Sequence, residues 1–373
     1  MERMIVHIGK YYPPHMGGME THLRDIVSGL SGWDDVRVIV AGDTIRGRVD
    51  RLDGATIIRV PTLGVVASMP VTPTLPWELA KVKPALVHVH VPNPAAAFAI
   101  TLVGYRGPLV IMHQSDTLGR KFLKRITDPF VGAMMRRADR IIVASQRYLD
   151  SSGELAPFKE KCRVIPMGIN PARERDDLEG ESAAVLRQYG SRLVLAVGRL
   201  VEYKGFIYLL EAMRGVDATL LLVGTGPLDA VLKRAAQRFE VSNKVKFLGK
   251  VDDLQKYYRA CSVFVLPSIS RAEAFGLVQL EAMAAGLPVI NTNIDSGAPE
   301  VSLDGVTGIT VPPADANSLA GAINVLLSDA ALRQRMGAAG KIRARRDFAP
   351  ELMVERTIKL YEEVLEERGI RAR

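Results

Sequence analysis

Short runs of β-branched and aliphatic residues recur along the chain, separated by helix-length segments whose apolar positions fall three and four apart. In the first half, the runs Ile5–Ile8, Val36–Ala41, Thr56–Val60, Leu86–His90, Leu109–His113 and Ile141–Ala144 predict six strands. Six more are predicted at Leu193–Val197, Thr219–Val223, Val245–Leu248, Val263–Leu266, Val289–Asn291 and Ile309–Val311. The runs are almost continuously apolar rather than alternating, which is the pattern of parallel sheets covered by helices on both faces. Helices are expected at Thr21–Leu30 and, with Pro227 suited to the first helical position, at Leu228–Arg238.

The pattern runs through once, stops, and starts again. Between Asn170 and Ser191 the chain is polar and poor in apolar residues, which predicts a connection. The expected fold class is therefore α/β, with two doubly wound, Rossmann-like parallel-sheet domains at residues 1–170 and 171–350. From Pro350 to about Arg368, apolar residues at Leu352, Val354, Ile358, Leu360, Tyr361, Val364 and Leu365 predict one long helix within a final segment 351–373. Ligands of such sheets sit beyond the carboxyl ends of the strands, so two facing domains are expected to form a cleft.

A length of 373 residues agrees with two domains, and 48% hydrophobic with 24% charged residues is ordinary for a globular protein. Cys162 and Cys261 lie far apart in or beside apolar runs and read as buried thiols of a reducing, cytoplasmic protein. No apolar run approaches the roughly 20 residues that span a bilayer, and no secretory core segment is visible near the start. The net charge of +8 is uneven: residues 1–170 hold 22 Lys/Arg against 15 Asp/Glu, the remainder 27 against 26. A cationic first half suits an anionic partner, and an excess of this size serves solubility equally well. Aromatic residues make up 6% and are not interleaved with the cations, which argues against nucleic acid.

The strongest chemical signal is Glu273-x7-Glu281, two carboxylates flanking an apolar stretch that holds Gly276 and continues as a helix. A buried carboxylate needs a polar partner, and the free N–H groups of a helix start attract phosphate. Together these suggest a pocket for a sugar joined to a phosphate. Gly198-Arg199-x4-Lys204-Gly205 places two cations after a strand, suited to a diphosphate; a solvated loop explains it as well. Gly17-Gly18 before a helix lets backbone approach a ligand, or simply makes a turn. Gly224-Thr-Gly226 reads either way too, and His113 at a strand end is either a sugar contact or an ordinary loop histidine. His7, His15, His22, His88 and His90 show no metal-ligand spacing and Asp-x-Asp is absent, so neither a metal nor another cofactor is expected.

Over nearly its whole length the chain resembles the retaining nucleotide-sugar glycosyltransferases of family 4, which have the two-domain GT-B architecture. The resemblance rests on Glu273-x7-Glu281 and on Gly198-Arg199-x4-Lys204-Gly205, Gly17-Gly18-x-Glu20 and Pro166-Met-Gly-Ile-Asn170. It implies that Glu273 contacts the donor sugar, Glu281 the ribose, and Arg199 and Lys204 the departing diphosphate. It implies phosphate binding by backbone at Ala274, Phe275, Gly276 and Leu277, with Gly198 beside them. Val251 would line the base pocket, Gly17 and Gly18 would close on the donor, and His113 would touch the sugar. The final helix would pack back on the first domain. Asp295–Glu300 departs from the commoner pattern, and Glu300 receives no role.

The motif style is nearest to mannosyl- and rhamnosyl-type members of surface polysaccharide assembly, so GDP-mannose is the expected donor and UDP-hexoses come next. A nucleotide-sugar 2-epimerase or a non-catalytic nucleotide-sugar-binding protein are the alternatives of another class; a phosphorylase lacks a candidate pyridoxal lysine. The segment Gly119–Arg137 mixes cations with Phe, Leu, Ile and Met. It reads as a helix lying on an anionic membrane near a glycan or lipid-linked acceptor, or as a helix with a core-facing stripe and solvated cations.

Overall fold

The protein, seen in a computed structural model that describes residues 4–15, 17–30, 33, 35–66, 69–116, 121–169 and 178–370, divides into two compact units. One is Met1–Gly168 with Pro350–Arg373, the other Ile169–Ala349.

The first unit opens with β1 (Met4–Ile8), α1 (Gly18–Gly29), β2 (Asp35–Ala41), β3 (Arg48–Leu52) and β4 (Ala55–Val60). A two-residue pair, β5 (Val65–Val66) and β6 (Met69–Pro70), precedes α2 (Leu75–Ala80), β7 (Leu86–Val91) and α3 (Pro94–Val103). Then come β8 (Leu109–His113), α4 (Lys121–Arg137), β9 (Arg140–Val143), α5 (Gln146–Ser151) and β10 (Cys162–Val164). The eight-stranded sheet has the order β10-β9-β8-β7-β1-β2-β4-β3. It is parallel except at its edge, where β3 pairs antiparallel with β4. That hairpin turns on Asp53 and Gly54, both at positive φ (52° and 77°), the Asp-Gly signature of a tight hairpin. Sequence reasoning missed β3 because Arg-Val-Asp-Arg-Leu has the exposure of an edge, not the apolar run of a buried strand.

The second unit contains α6 (Leu178–Tyr189), β11 (Leu193–Val197), α7 (Phe206–Ala212), β12 (Thr219–Val223), α8 (Asp229–Arg238), β13 (Val245–Gly249) and α9 (Gln255–Ala260). It continues with β14 (Val263–Leu266), α10 (Leu277–Ala284), β15 (Val289–Thr292), α11 (Ala298–Val301), β16 (Gly308–Val311), α12 (Ala316–Ser328) and α13 (Ala330–Asp347). Its six strands are all parallel, in the order β13-β12-β11-β14-β15-β16. Fully buried Leu209, Leu220, Val265, Ile290 and Ile323 fill the space between sheet and helices, each contributing about 1.5–3 kcal/mol by leaving water.

All twelve predicted strands are present. The expected polar connection at Asn170–Ser191 is corrected by α6, which buries only Leu178 and Val185 and so carries almost no apolar signal; residues 170–177 lie outside the described residues. Helix α8 begins at Asp229, so Pro227 precedes it rather than opening it. The last helix, α14 (Pro350–Glu367), belongs to the first unit and buries Met353, Leu360, Tyr361, Val364 and Leu365. It lies so close to α1 that a Cβ on Gly29 would come within 2.4 Å of Val354 Cγ2.

Candidate active site

In the second unit the strand order turns between β11 and β14. Neighbouring strands whose crossovers leave in opposite directions open a crevice past their carboxyl ends. The segments leaving there are Gly198–Gly205 and Pro267–Gly276. They close on each other at Gly205, whose φ is +66° and where a Cβ would lie 2.1 Å from the Pro267 carbonyl oxygen. The stem of Lys204 passes over Gly198, 3.2 Å from where a Cβ would stand. The other glycine turn, Gly224–Gly226, serves backbone packing: a Cβ on Gly224 would lie 1.9 Å from the Gly198 carbonyl oxygen.

This closure brings together two residues that sequence reasoning treated separately. Lys204 Nζ lies 2.5 Å from Glu273 Oε2, and both side chains are at least nine-tenths buried. Ser268 Oγ donates to the same oxygen at 2.9 Å. Burial alone would push the Lys204 ammonium down in pKa, but the Glu273 carboxylate outweighs it and holds Lys204 above the usual lysine value. Lys204 is therefore a cation at neutral pH. The pair offers positive charge to phosphate oxygens and a carboxylate acceptor to hydroxyl groups. Ser268 gave no signal in the sequence, being one serine of Pro-Ser-Ile-Ser.

Beside the pair begins α10. Its N-cap, Gly276, adopts the left-handed conformation (φ 76°, ψ 58°), no side chain caps the start and no acid stands in the first turn. The helix dipole and first amides are thus left for an external anion. The loop before it is held from behind. Fully buried Gln279 donates to the Phe275 carbonyl at 2.9 Å and the Ala298 carbonyl at 3.0 Å, and accepts from Asn291 Nδ2 at 3.3 Å. Gly297 N–H donates to the Ala274 carbonyl at 2.8 Å, so the atypical 295–300 segment braces the loop through backbone. The Phe275 ring meets Phe348 edge-on, with centroids 6.0 Å apart. Leu277 is partly buried at the helix start. A loop fixed this way is preorganised, which is what electrostatic stabilisation requires.

Glu281 lies on α10 and accepts a hydrogen bond from the Tyr258 hydroxyl at 2.8 Å. Burial pushes the Glu281 carboxyl up in pKa, and the Tyr258 bond pulls it partly back. Tyr258 is a second partner that the sequence did not announce. Arg199 is exposed and makes no ion pair among the described residues, and Val251 is partly buried in the loop after β13.

In the first unit the order turns between β1 and β7. Gly17 caps α1 and Gly18 begins it. The helix's own Glu20 folds back over this start, so that a Cβ on Gly17 would lie 2.3 Å from Glu20 Oε2. His113 ends β8 and is buried. Tyr148 OH donates to Asp116 Oδ1 at 2.8 Å and lies 3.2 Å from His113 Nδ1. With its single proton so used, the hydroxyl accepts from Nδ1–H, an assignment made from the network. His113 Nε2 lies 3.6 Å from Glu154 Oε2.

The chain spacing of the other histidines concealed a cluster. His7 on β1 stands opposite His88 on β7, and nitrogens of His7, His88 and His90 lie within 4.8 Å of one another. His7 Nδ1 meets His90 Nε2 at 3.2 Å, and His88 Nδ1 meets the Tyr361 hydroxyl of α14 at 2.5 Å. Burial drives His7 to about 3 and His22 to about 4, and pushes His88 and His90 well below the usual imidazole value.

Known proteins resemble the chain in both units. The family model described as Glycosyl transferases group 1 matches residues 180–343, and the Glycosyltransferase Family 4 model matches residues 16–173. The chain is 28% identical over 379 residues to the O-antigen chain mannosyltransferase C of Escherichia coli, covering 98% of this chain and all of the relative. It is 33% identical over 271 residues to the D-rhamnosyltransferase WbpZ of Pseudomonas aeruginosa, covering 70% of this chain and 69% of the relative. Among solved structures it is similar to the sucrose-phosphate synthase of Thermosynechococcus elongatus, with a TM-score of 0.81, 24% identity and coverage of 98% and 100%. The chain belongs to glycosyltransferase family 4: it is a nucleotide-sugar-dependent hexosyltransferase of the GT-B fold.

Proposed function

We propose that this enzyme transfers mannose from GDP-mannose, with retention at the anomeric carbon, to a glycan or lipid-linked acceptor in surface polysaccharide or glycolipid assembly. The observation that carries the reading is the buried Lys204–Glu273 pair with Ser268, set where β11 and β14 part and beside an uncapped helix start. Relatives named as mannosyl- and rhamnosyltransferases support the sugar class.

In this reading Lys204 and Arg199 meet the diphosphate, together with the amides from Ala274 to Leu277 at the start of α10. Glu273, held between Lys204 and Ser268, accepts from donor sugar hydroxyls. Glu281, fixed by Tyr258, accepts from the ribose, and Val251 lines the base. From the first domain, Gly17, Gly18 and His113 are assigned to the donor. The bond from the anomeric carbon to the diphosphate oxygen breaks while the acceptor oxygen bonds to the same face. The acceptor proton passes to the leaving phosphate oxygen. Charge growing on that phosphate is what the cations and amides stabilise, usually the largest catalytic contribution. No metal is assigned, since the chain lacks Asp-x-Asp.

We assign the first domain a peripheral position on the inner face of an anionic membrane. Phe98 and Leu102 on α3 and Ile126 on α4 are exposed, 44%, 62% and 53% respectively, in the more cationic half of the chain. Arg120 and the side chains of Lys121 and Lys124 lie outside the described residues. No helix among the described residues is long and apolar enough to cross a membrane. Flotation with anionic vesicles checks the assignment: neutralising Arg120, Lys121, Lys124 and Arg125 abolishes binding if it is right.

A thermal-shift panel of GDP, UDP and ADP sugars tests the donor. GDP-mannose at about 100 times its dissociation constant stabilises by about 2.7 kcal/mol, and the other sugars do less. Stabilisation and turnover with a UDP-hexose alone would replace the GDP-mannose assignment. Proton NMR of the first product distinguishes retention from inversion.

A further inference from the structure

At the amino ends of β8, β9 and β10, the end of the sheet opposite His113, the first domain holds a pocket of about 570 Å³. That volume is in the range of small-ligand sites. Arg106, Arg136, Arg137, Arg140, Lys161 and Arg368 line it, with Asp139 the single acid among them.

Part of this charge has structural work. Lys161 Nζ donates to the carbonyls of Arg136 and Ala138 at 2.6 and 2.8 Å, closing the end of α4. Arg137 donates to the Gly107 carbonyl, and Arg140 pairs with Glu367 at the end of α14. Asp139 is already saturated: Oδ1 accepts twice from Arg368, at 2.9 and 2.5 Å, and Oδ2 accepts from Leu109 N–H at 2.8 Å. Helix capping and anchoring of α14 therefore explain Lys161, Arg368 and the Nη2 bonds of Arg137 and Arg140. They do not explain Arg106 and Arg136, which are exposed and make no ion pair among the described residues. Nor do they explain Arg140 Nε, which is buried without a hydrogen-bond partner; Arg137 Nη1 makes no hydrogen bond either but is ion-paired with Asp139 Oδ2 at 3.7 Å.

We propose that this pocket binds a phosphate or diphosphate group, separately from the donor residues of the second domain. Guanidinium forks match phosphate oxygens bidentately, and the exposed forks of Arg106 and Arg136, with the unpartnered Arg140 Nε–H beside them, can exchange water for such oxygens. Because Arg368 follows α14 and pairs with Asp139, while Arg140 on β9 pairs with Glu367, an anion bound between the two arginines ties that helix to β9. The phosphate comes either from a soluble ester or from an anionic lipid headgroup.

The test is titration of the full chain with inorganic pyrophosphate at low ionic strength, where charge contacts are least screened. The donor site is weakened by Lys204→Met, Glu273→Leu and Arg199→Gln together, and the same triple background is used throughout, so that a change in binding reports the pocket. One saturable equivalent is expected, weakened about tenfold or more when Arg106→Gln and Arg136→Gln are added, as loss of charge-assisted bonds requires. Both arginines are exposed, so the melting temperature without ligand stays unchanged and reports an intact fold. Binding unaffected by the two substitutions, or no saturable binding, overturns the proposal. Retention on phosphatidic acid vesicles that pyrophosphate displaces assigns the headgroup as the source. Pyrophosphate binding with vesicle retention absent, or present but not displaced by pyrophosphate, assigns a soluble phosphate.

Discussion

In the second domain Ser268, Glu273, Gln279 and Asn291 are buried, and each has hydrogen-bond partners. In the first, His7, His22, His88 and His90 are buried, and each keeps at least one ring nitrogen without a partner. The sheets are built alike, but polarity inside them does different work. Where the buried groups are bonded, as Gln279 and Asn291 are behind the Glu273 loop, polarity fixes a geometry. Where imidazoles are enclosed beneath α14 with nitrogens left over, the fold holds them neutral and becomes sensitive to acid. All six histidines and both tryptophans lie within the first 113 residues, and the second domain has neither residue type. The contrast can thus be read domain by domain.

The largest effect is expected from Lys204→Ala. It leaves Glu273 buried without its cation, which costs about 3–5 kcal/mol of stability. It also removes a charge from the diphosphate, lowering turnover by about 10²–10³. Calorimetry and transfer kinetics on the same variant check both halves. If the second domain melts normally, Lys204→Ala does not leave an uncompensated buried charge at Glu273.

Acid comes next. The four histidines are neutral in the fold and titrate near 6.5 when unfolded, so unfolding takes up protons below that pH. Stability of the first domain is fully present above pH 6.5 and falls as pH drops, towards about 4 for His22 and about 3 for His7. At pH 5 His7 and His22 each contribute a loss of about 2 kcal/mol, and His88 and His90 act in the same direction. Fluorescence of Trp33 and Trp77 follows this domain alone, and His22→Leu flattens its pH slope. A slope that is the same in the wild type and in His22→Leu would remove His22 from the account.

Gly276→Ala is a smaller change. Its left-handed backbone conformation costs an alanine about 1–2 kcal/mol, and the new Cβ would meet Leu266 at 2.7 Å. A raised KM for the donor with a modest drop in melting temperature is expected. Arg199→Gln should alter stability by no more than about 0.5 kcal/mol, as for most exposed sites, while transfer still falls. Equal activity would leave Lys204 as the sole cation at the diphosphate.

The sequence made the strands legible because a strand covered on both faces has to be apolar throughout. It hid β3 and α6, whose exposed faces leave only scattered apolar residues, although Asp53-Gly54 was a readable hairpin signal. The glutamates at 273 and 281 could be singled out from their spacing around Gly276. Their partners could not. Lys204 comes from a different loop, Tyr258 from α9, and His7 meets His88 only because β1 and β7 are neighbours. Periodicity reports which face of an element is buried, and it carries no information about which side chains from distant segments meet there.

The central claim is that Lys204 and Glu273 are paired for the donor and not for the fold. Replacing both, Lys204→Met with Glu273→Leu, exchanges the buried ion pair for apolar packing, which is often neutral or stabilising by about 1–4 kcal/mol. The account predicts a double variant that melts at or above the wild-type temperature and transfers sugar at least about 10²-fold more slowly. A double variant with transfer within tenfold of wild type would contradict it.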